Sequence, residues 1–392
     1  MTGSVDVLIA AAGTGKTFSL DAARDGWQRA GYTVIGCALA ATAAQELETG
    51  SGIPSSTLAS LTGYLDSGEV QLHDHVVVVV DEAGMVGTRD IAPLLTAAAA
   101  ARAKVVLVGD PRQLPEITAG GLLGHLESRR RAITLTENHR QTDPTERTAL
   151  AELRAGDVNR AVVLLRERGG IVHGPNSETV RDGMVGDWWQ HRQHGSDALM
   201  LTRRNADVDD LNRRARRLVA DAGELSGEPI EIAGRPFQIG DQIVCLRNDY
   251  RSHVRNGTTG TITNINHHRS TITIDTDYGV RQLDSAYLAA GLIRHGYAIT
   301  VHKAQGRTAD HGLLLGTDDL TRESGYVGLS RGRESNRLYV VSTDCDDDLE
   351  HHARADDRDD PRRIVLDALH INTAKQLASD FSYAKSAGVD IG

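Results

Sequence analysis

The sequence predicts an α/β fold: two domains of parallel strands flanked by helices, with a small antiparallel barrel inserted in the second. Three observations predict it. Over the first 140 residues, short β-branched apolar runs alternate with helix-length segments. A second α/β alternation starts near Asp197 and returns from Ile293 to Ser342. Between them, from Arg235 to about Leu288, the period shortens and turn residues punctuate it. Continuous short apolar runs suit strands buried on both faces, whereas alternating runs suit antiparallel strands.

The elements follow in order. Val5 to Ile9, Thr33 to Leu39, Val76 to Val80, Lys104 to Val108 and Ala132 to Leu135 are the first domain's strands, and Phe18 to Ala30 is its first helix. The apolar stretch Ile91 to Val108 is broken by Arg102 and Lys104, so it reads as a helix followed by a strand. Thr148 to Glu167 reads as one helix ended by Gly169-Gly170. In the second domain Ala198 to Thr202 is a strand, and Asp207 to Ala220 is a helix with an arginine-bearing face. Gln242 to Leu246, Gly260 to Ile265, Thr271 to Asp275 and Val280 to Leu283 are the barrel strands, with turns at Asn256-Gly257 and Tyr278-Gly279. The expected boundaries are 1–141 for the first domain, 142–234 with 289–345 for the second, 235–288 for the barrel and 346–392 for a tail. That tail is acidic, then helical from Arg362 to Lys385.

Composition narrows the class. Forty per cent apolar and 24% charged residues in 392 describe a globular chain with enough length for more than one core. Cys37, Cys245 and Cys345 are far apart and odd in number, which predicts reduced thiols in the cytoplasm rather than a disulfide framework or zinc site. No apolar run is long enough for a membrane span. The net charge of −10 argues at first against a nucleic-acid partner. Yet Asp344 to Asp360 holds nine acids against two arginines, a local −7 that leaves only −3 for the rest. A basic groove is compatible with that balance.

Directly after the first strand comes Ala10-Ala11-Ala12-Gly13-Thr14-Gly15-Lys16-Thr17, a phosphate-binding loop in which Ala10 stands at the first glycine position. Such a loop offers backbone N–H groups and a helix N-terminus to an anion. Gly13, Thr14 and Gly15 would cradle the phosphates of ATP, Lys16 would reach the β- and γ-phosphates, and the Thr17 hydroxyl would hold Mg²⁺. Only five lysines occur among 43 basic residues, so a lysine after Gly15 is a poor match for chance.

The strand Val76 to Val80 runs into Asp81-Glu82-Ala83-Gly84-Met85-Val86. Asp81 is placed to hold Mg²⁺ and Glu82 to polarise the attacking water. Asp-Glu after a strand also occurs in plain surface turns, and the upstream loop favours the catalytic reading. After the strand Lys104 to Val108, Gly109-Asp110-Pro111-Arg112-Gln113-Leu114-Pro115 lies where ligands bind in parallel sheets, and Gln113 is a candidate for the γ-phosphate or the lytic water. A proline-bounded turn explains that segment equally well.

Together these motifs resemble those of superfamily 1 helicases of the RecD-like branch, and most closely the helicase portion of conjugative relaxases of the MobF/TraA type. Three further motifs carry the resemblance: Leu135-Thr136-Glu137-Asn138-His139-Arg140-Gln141, Ala298-Ile299-Thr300-Val301-His302-Lys303-Ala304-Gln305-Gly306, and Tyr326-Val327-Gly328-Leu329-Ser330-Arg331-Gly332-Arg333. The run Gly332 to Val340 points towards the relaxase helicases in particular. The resemblance implies two RecA-like domains with ATP between them and an SH3-like barrel inserted in the second. It implies that Arg140 and Arg331 stabilise charge on the transferred phosphoryl, with Gln305 and Gly306 near the nucleotide. It further implies contacts from Thr42, Thr57, Thr300 and His302 to single-stranded DNA, and Arg203, Arg204 and Asn205 after a strand end are candidates for the same, although a helix cap or turn is an equal reading of each. The motor it implies moves 5′ to 3′; the alternative is a partner-dependent module that binds DNA or protein without turnover.

Departures from the family pattern carry their own expectations. Ala10 should add little strain, and Gly84, where the family has serine, should loosen coupling to DNA. The chain begins nine residues before the loop, so the adenine-reading Q motif is expected elsewhere, in a longer protein or an N-terminal partner such as a relaxase. Only Asp66 to Asp74 is free for a strand-separating pin. The pairs His73/His75, His191/His194, His267/His268 and His351/His352 lack carboxylate or cysteine company and are not expected to bind metal. No relaxase-type histidine triad with a catalytic tyrosine is apparent, so DNA nicking is not expected.

Overall fold

The computed structural model describes residues 5–116, 120–129, 132–249, 251–341 and 367–373. The chain divides into two compact units, one of residues 1–142 with 372–392, the other of residues 143–371.

The first unit is a single parallel sheet with helices on both faces. In chain order it contains β1 (Val5–Ala10), α1 (Lys16–Arg29), β2 (Thr33–Ala38), α2 (Ala41–Ser51), β3 (Ser55–Thr57) and α3 (Leu58–Ser67). There follow β4 (Val76–Asp81), α4 (Thr88–Ala101), β5 (Lys104–Gly109), α5 (Leu122–Ser128) and β6 (Ala132–Leu135). The strand order is β3-β2-β4-β5-β1-β6, with every pairing parallel. β4 shows why a run of five valines is a strand here. Val76, Val78 and Val80 enter one core with Val105, Leu107 and Ile9, while Val77 and Val79 enter the other with Leu20, Val34 and Leu47. A period of two fills both faces, and β-branching suits the pleat.

The second unit begins with α6 (Pro144–Ala155) and α7 (Val158–Glu167), then β7 (Ile171–Gly174), α8 (Ser177–Gln193), β8 (Ala198–Thr202) and α9 (Asn205–Asp221). The single helix expected from Thr148 to Glu167 is thus two. Gly156 ends α6 at φ 98°, and the Asp157 carboxylate caps α7 by accepting from Arg160 N–H at 2.9 Å.

Next come β9 (Ser226–Ile232), β10 (Arg235–Ile239), β11 (Gln242–Cys245), β12 (Thr259–Asn266), β13 (Thr271–Thr276), β14 (Gly279–Leu283) and α10 (Ser285–Ala289). β15 (Ile293–His295), β16 (Ala298–Thr300), β17 (Ala309–Leu315), α11 (Arg322–Leu329) and β18 (Gly332–Val341) complete the order. β16-β8-β17-β18-β7 form a parallel sheet, and β14-β13-β12-β11-β15 a five-stranded antiparallel one beside the β9–β10 hairpin. The antiparallel region is wider than expected from sequence. β9 starts before Arg235, and Ile293 pairs with Cys245 although it was assigned to the α/β domain. Ile232, Phe237, Ile243, Ile262, Ile272, Ile274, Leu283 and Ile293 give this region its own core.

The acidic segment from Asp344 lies outside the described residues, as does most of the helix expected from Arg362 to Lys385. Of its described part, Ala368 and Leu369 are buried, with Leu369 against Gly325 of α11.

Candidate functional site

The carboxyl ends of β1 and β4 bring the two principal motifs together. Between β1 and α1 the loop turns through left-handed conformations at Gly13 (φ 78°) and Gly15 (φ 74°), and α1 has no acid in its first turn. Its N-terminal N–H groups and dipole therefore remain open to an anion. Ala10 is the last residue of β1, pairing with Leu135, and needs no left-handed backbone, which explains why alanine fits the first position. Thr14 folds back, its hydroxyl donating to the Ala11 carbonyl at 2.9 Å. Thr17 packs against α2 at Gly50, where a Cβ would lie 2.3 Å from the Thr17 methyl.

Lys16 Nζ lies 2.8 Å from Asp81 Oδ1 and 2.7 Å from Glu82 Oε1. Burial opposes the lysine charge, but the two carboxylates outweigh it and raise the Lys16 pKa above the usual value. Burial, reinforced by the Glu82 charge, pushes Asp81 upward against the pull of Lys16. The backbone N–H of Glu82 donates to Asp81 Oδ1 at 2.8 Å, and Glu82 itself sits at φ 51°. A non-glycine residue there is strained, a recurrent feature of functional turns. The donor set suits magnesium: a hydroxyl at Thr17 and a carboxylate at Asp81 are hard oxygen ligands, and the adjacent acids need a cation.

Gly84 stands in close contact with the neighbouring loop. A Cβ there would lie 2.9 Å from the Asp110 carbonyl oxygen, and one on Gly109 would lie 3.0 Å from Gly84 N. The missing side chains let the Asp81-Glu82 turn sit directly on the loop that carries Gln113, which is itself buried.

Arg140 lies on a loop fastened to the phosphate-binding loop. His139 N–H donates to the Gly13 carbonyl at 2.8 Å, Asn138 Oδ1 accepts from Arg140 N–H at 2.9 Å, and Asn138 Nδ2 donates to Gln141 Oε1 at 2.8 Å. A Cβ on Gly13 would meet Arg140 Cβ and Asn138 Oδ1, each at 2.6 Å. Asn138 and His139 were therefore missed as positioning residues. The motif was visible, but only its arginine carried obvious chemistry.

The second unit holds the remaining candidates. Thr300 Oγ1 accepts from Lys303 N–H at 3.4 Å, and His302 is exposed beside it. Gly306 turns at φ 85°, with Gln305 before it. Arg331 was expected to face a phosphate, yet it is 2% exposed. Its Nε donates to the Val327 carbonyl at 2.8 Å, and its Nη1 to the Ala304 and Arg307 carbonyls at 3.4 and 3.3 Å. It thereby ties the Thr300–Gly306 loop to the end of α11.

Several expected DNA contacts have other partners. Thr57 caps α3, accepting from Ser60 N–H at 3.1 Å. Arg203 lies 3.4 Å from Asp319 and donates to Thr321 Oγ1 at 3.3 Å. Asn205 accepts from Arg294 at 3.0 Å. Thr42 stands half-buried in the first turn of α2, at the carboxyl end of β2. The histidine expectation also needs correction at one pair. Donor atoms of exposed His73, Asp74 and His75 lie within 4.8 Å of one another, so a carboxylate is present, although Arg102 at 3.7 Å from Asp74 disfavours a second cation. His351 and His352 lie outside the described residues. Among the described residues no helix is long and apolar enough to cross a membrane.

Residues 1–176 match a family model described as an AAA domain. The chain is 34% identical over 338 residues to a probable conjugal transfer protein TraA of Sinorhizobium fredii, covering 86% of this chain and 31% of that protein. It is 30% identical over 360 residues to the ATP-dependent RecD2 DNA helicase of Deinococcus radiodurans, covering 84% of this chain and 46% of that one. The chain thus spans about a third of the TraA relatives it matches. Among solved structures, Bacteroides Pif1 bound to ssDNA has the same fold, with a TM-score of 0.60 at 18% identity over 98% of this chain and 94% of that one. A second Pif1 helicase, from Candida albicans, gives 0.54 at 16% identity over 99% and 96% of the two chains. The chain is thus related in sequence to the TraA conjugal transfer proteins and to the RecD-like superfamily 1 helicases.

Proposed function

We propose that this chain is an ATP-driven motor that moves 5′ to 3′ on single-stranded DNA and separates duplex ahead of it. The observation that carries the reading is the convergence of Lys16, Asp81 and Glu82 at the end of β1 and β4, with the Arg140 loop bonded to Gly13. In this reading the N–H groups from Gly13 to Thr17 bind the triphosphate, and Lys16 exchanges its carboxylates for phosphate oxygens. Thr17 and Asp81 would hold magnesium, which would supply charge neutralisation to the phosphates. Released from Lys16, Glu82 accepts a proton from the attacking water, and Gln113 orients that water. Arg140 and Arg331 stabilise charge on the phosphoryl group as it transfers. The Arg331 bonds to Ala304 and Arg307 are its long ones, so exchanging them for phosphate oxygens leaves the 2.8 Å bond to Val327 intact.

Two RecA-like domains, with the antiparallel region as an SH3-like insertion running from about Ser226 to His295, are the organisation that fits this reading. Thr42, Thr300 and His302 are the candidates retained for strand contact, and a relaxase segment is the proposed neighbour in a longer protein. Strand displacement tests the motor. A duplex with a 5′ tail is expected to be unwound with ATP, and a 3′-tailed or blunt duplex is not. Unwinding from the 3′ tail would overturn the polarity, and ATP turnover without displacement would limit the reading to translocation.

A further inference from the structure

The start of β18, Gly332 to Arg337, has no role in the chemistry above. Its partners give it one. β18 enters its sheet with a register shift: Gly332 pairs with Ala309, but Ser335 pairs with His311, so β18 holds one extra residue. Such a bulge re-aims the chain beside it. Asn336, wholly buried, closes the bulge from within. Its Oδ1 accepts from Gly332 N–H at 2.7 Å, and its Nδ2 donates to the Gly332 carbonyl at 3.1 Å and to Glu146 Oε1 at 2.9 Å. Gly332 has no room for a side chain, since a Cβ would lie 2.1 Å from the Ser335 carbonyl oxygen. The residue before this clamp is Arg331.

Glu146, also wholly buried, lies in the first turn of α6. Arg168 Nη1 is 3.2 Å from it, and Arg168 Nε donates at 3.0 Å to Asp143, the cap of α6. The chain passes from the first unit to the second between Thr142 and Asp143. Hydrogen bonds and the Arg168–Glu146 ion pair therefore run from Asp143 to the backbone that follows Arg331. Burying an acid and an amide this deeply is costly unless they are paired; the Asn336 amide is fixed at both ends, whereas Glu146 meets its partners through Oε1 and its Oε2 is buried without a hydrogen bond.

We propose that Asn336 and Glu146 are positioning residues for Arg331: they fix its backbone and so set the reach of its guanidinium, without touching nucleotide themselves. The inference rests on the reading of Arg331 as a phosphoryl-stabilising group. Its test is steady-state ATP turnover by the full chain with saturating single-stranded DNA, at a temperature where circular dichroism shows each variant folded. Asn336→Ala is expected to lower kcat by up to about 100-fold, the effect of roughly 1 Å of misplacement, with KM for ATP within about twofold. Added to Arg331→Ala it should lower kcat no further, because both act through one group. Asn336→Asp removes the donor to both Glu146 and the Gly332 carbonyl and should lower kcat at least as far as Asn336→Ala. A folded Asn336→Ala at wild-type kcat, or losses that multiply in the double variant, would each overturn the inference. Wild-type kcat in Arg331→Ala would instead sink the reading of Arg331, and the inference with it.

Discussion

Lys16 shows how one side chain can organise a site. Its ammonium bridges Asp81 and Glu82, so the groups assigned to phosphate, metal and water lie within hydrogen-bond reach of one another. These side chains were legible because each motif is local, a few residues deciding its chemistry at fixed spacing. The backbone conditions were not. Nothing in the sequence says that Gly84 is needed for contact with the Asp110 carbonyl, which lies 26 positions away. Gly84→Ala must push that loop aside, and overpacking of this kind costs about 1–3 kcal/mol. Urea unfolding of the variant should show that loss, accompanied by slower ATP turnover. Unchanged stability would mean that the loop shifts freely and that the close approach is incidental. The same long reach hides the partner of Arg203, since Thr321 is 118 positions on.

At the level of elements, the strands with runs of valine, isoleucine and leucine were found in place, because β-branched residues buried on both faces leave a plain signature. β3 and β7 escaped notice because three or four residues give no measurable period, and α8 because its mean hydropathy is low and its buried residues few. The break between α6 and α7 was readable in Gly156-Asp157 but was outweighed by the apolar run around it. No local pattern gives the order β3-β2-β4-β5-β1-β6, which arises from packing. Capping decides a functional question at this scale. Thr57 accepts from Ser60 N–H, and loss of such a cap costs about 1 kcal/mol. Thr57→Ala should lower stability by that amount while leaving affinity for single-stranded DNA unchanged. Weaker DNA binding with an unaltered urea curve would restore Thr57 to the strand-contact set.

For the molecule as a whole, acid is expected to weaken the second unit first. Burial lowers the pKa of His191, which is stacked on His311, and of His295, which sits between Phe237 and Tyr297. Both bind a proton less readily when folded than the unfolded chain does at its ordinary value of 6.5. Stability from these two is present above that value and lost as pH falls through it towards the native pKa. The melting temperature should therefore be lower at about pH 5.5 than at about pH 7.5, and substituting both histidines should flatten the difference. Equal melting temperatures would show that carboxylates compensate. That the whole chain carries a motor's motifs in order was legible in the sequence. That the antiparallel region reaches from β9 to β15 was not, because β15 is three residues long and pairs with a strand some fifty positions earlier. The central claim, that this fold hydrolyses ATP as a DNA motor, is met most directly by the ATPase rate with and without single-stranded DNA, for wild type and Lys16→Ala. The account predicts a rate that DNA stimulates in the wild type and background rates in the variant under both conditions. Four equal rates near background would contradict it.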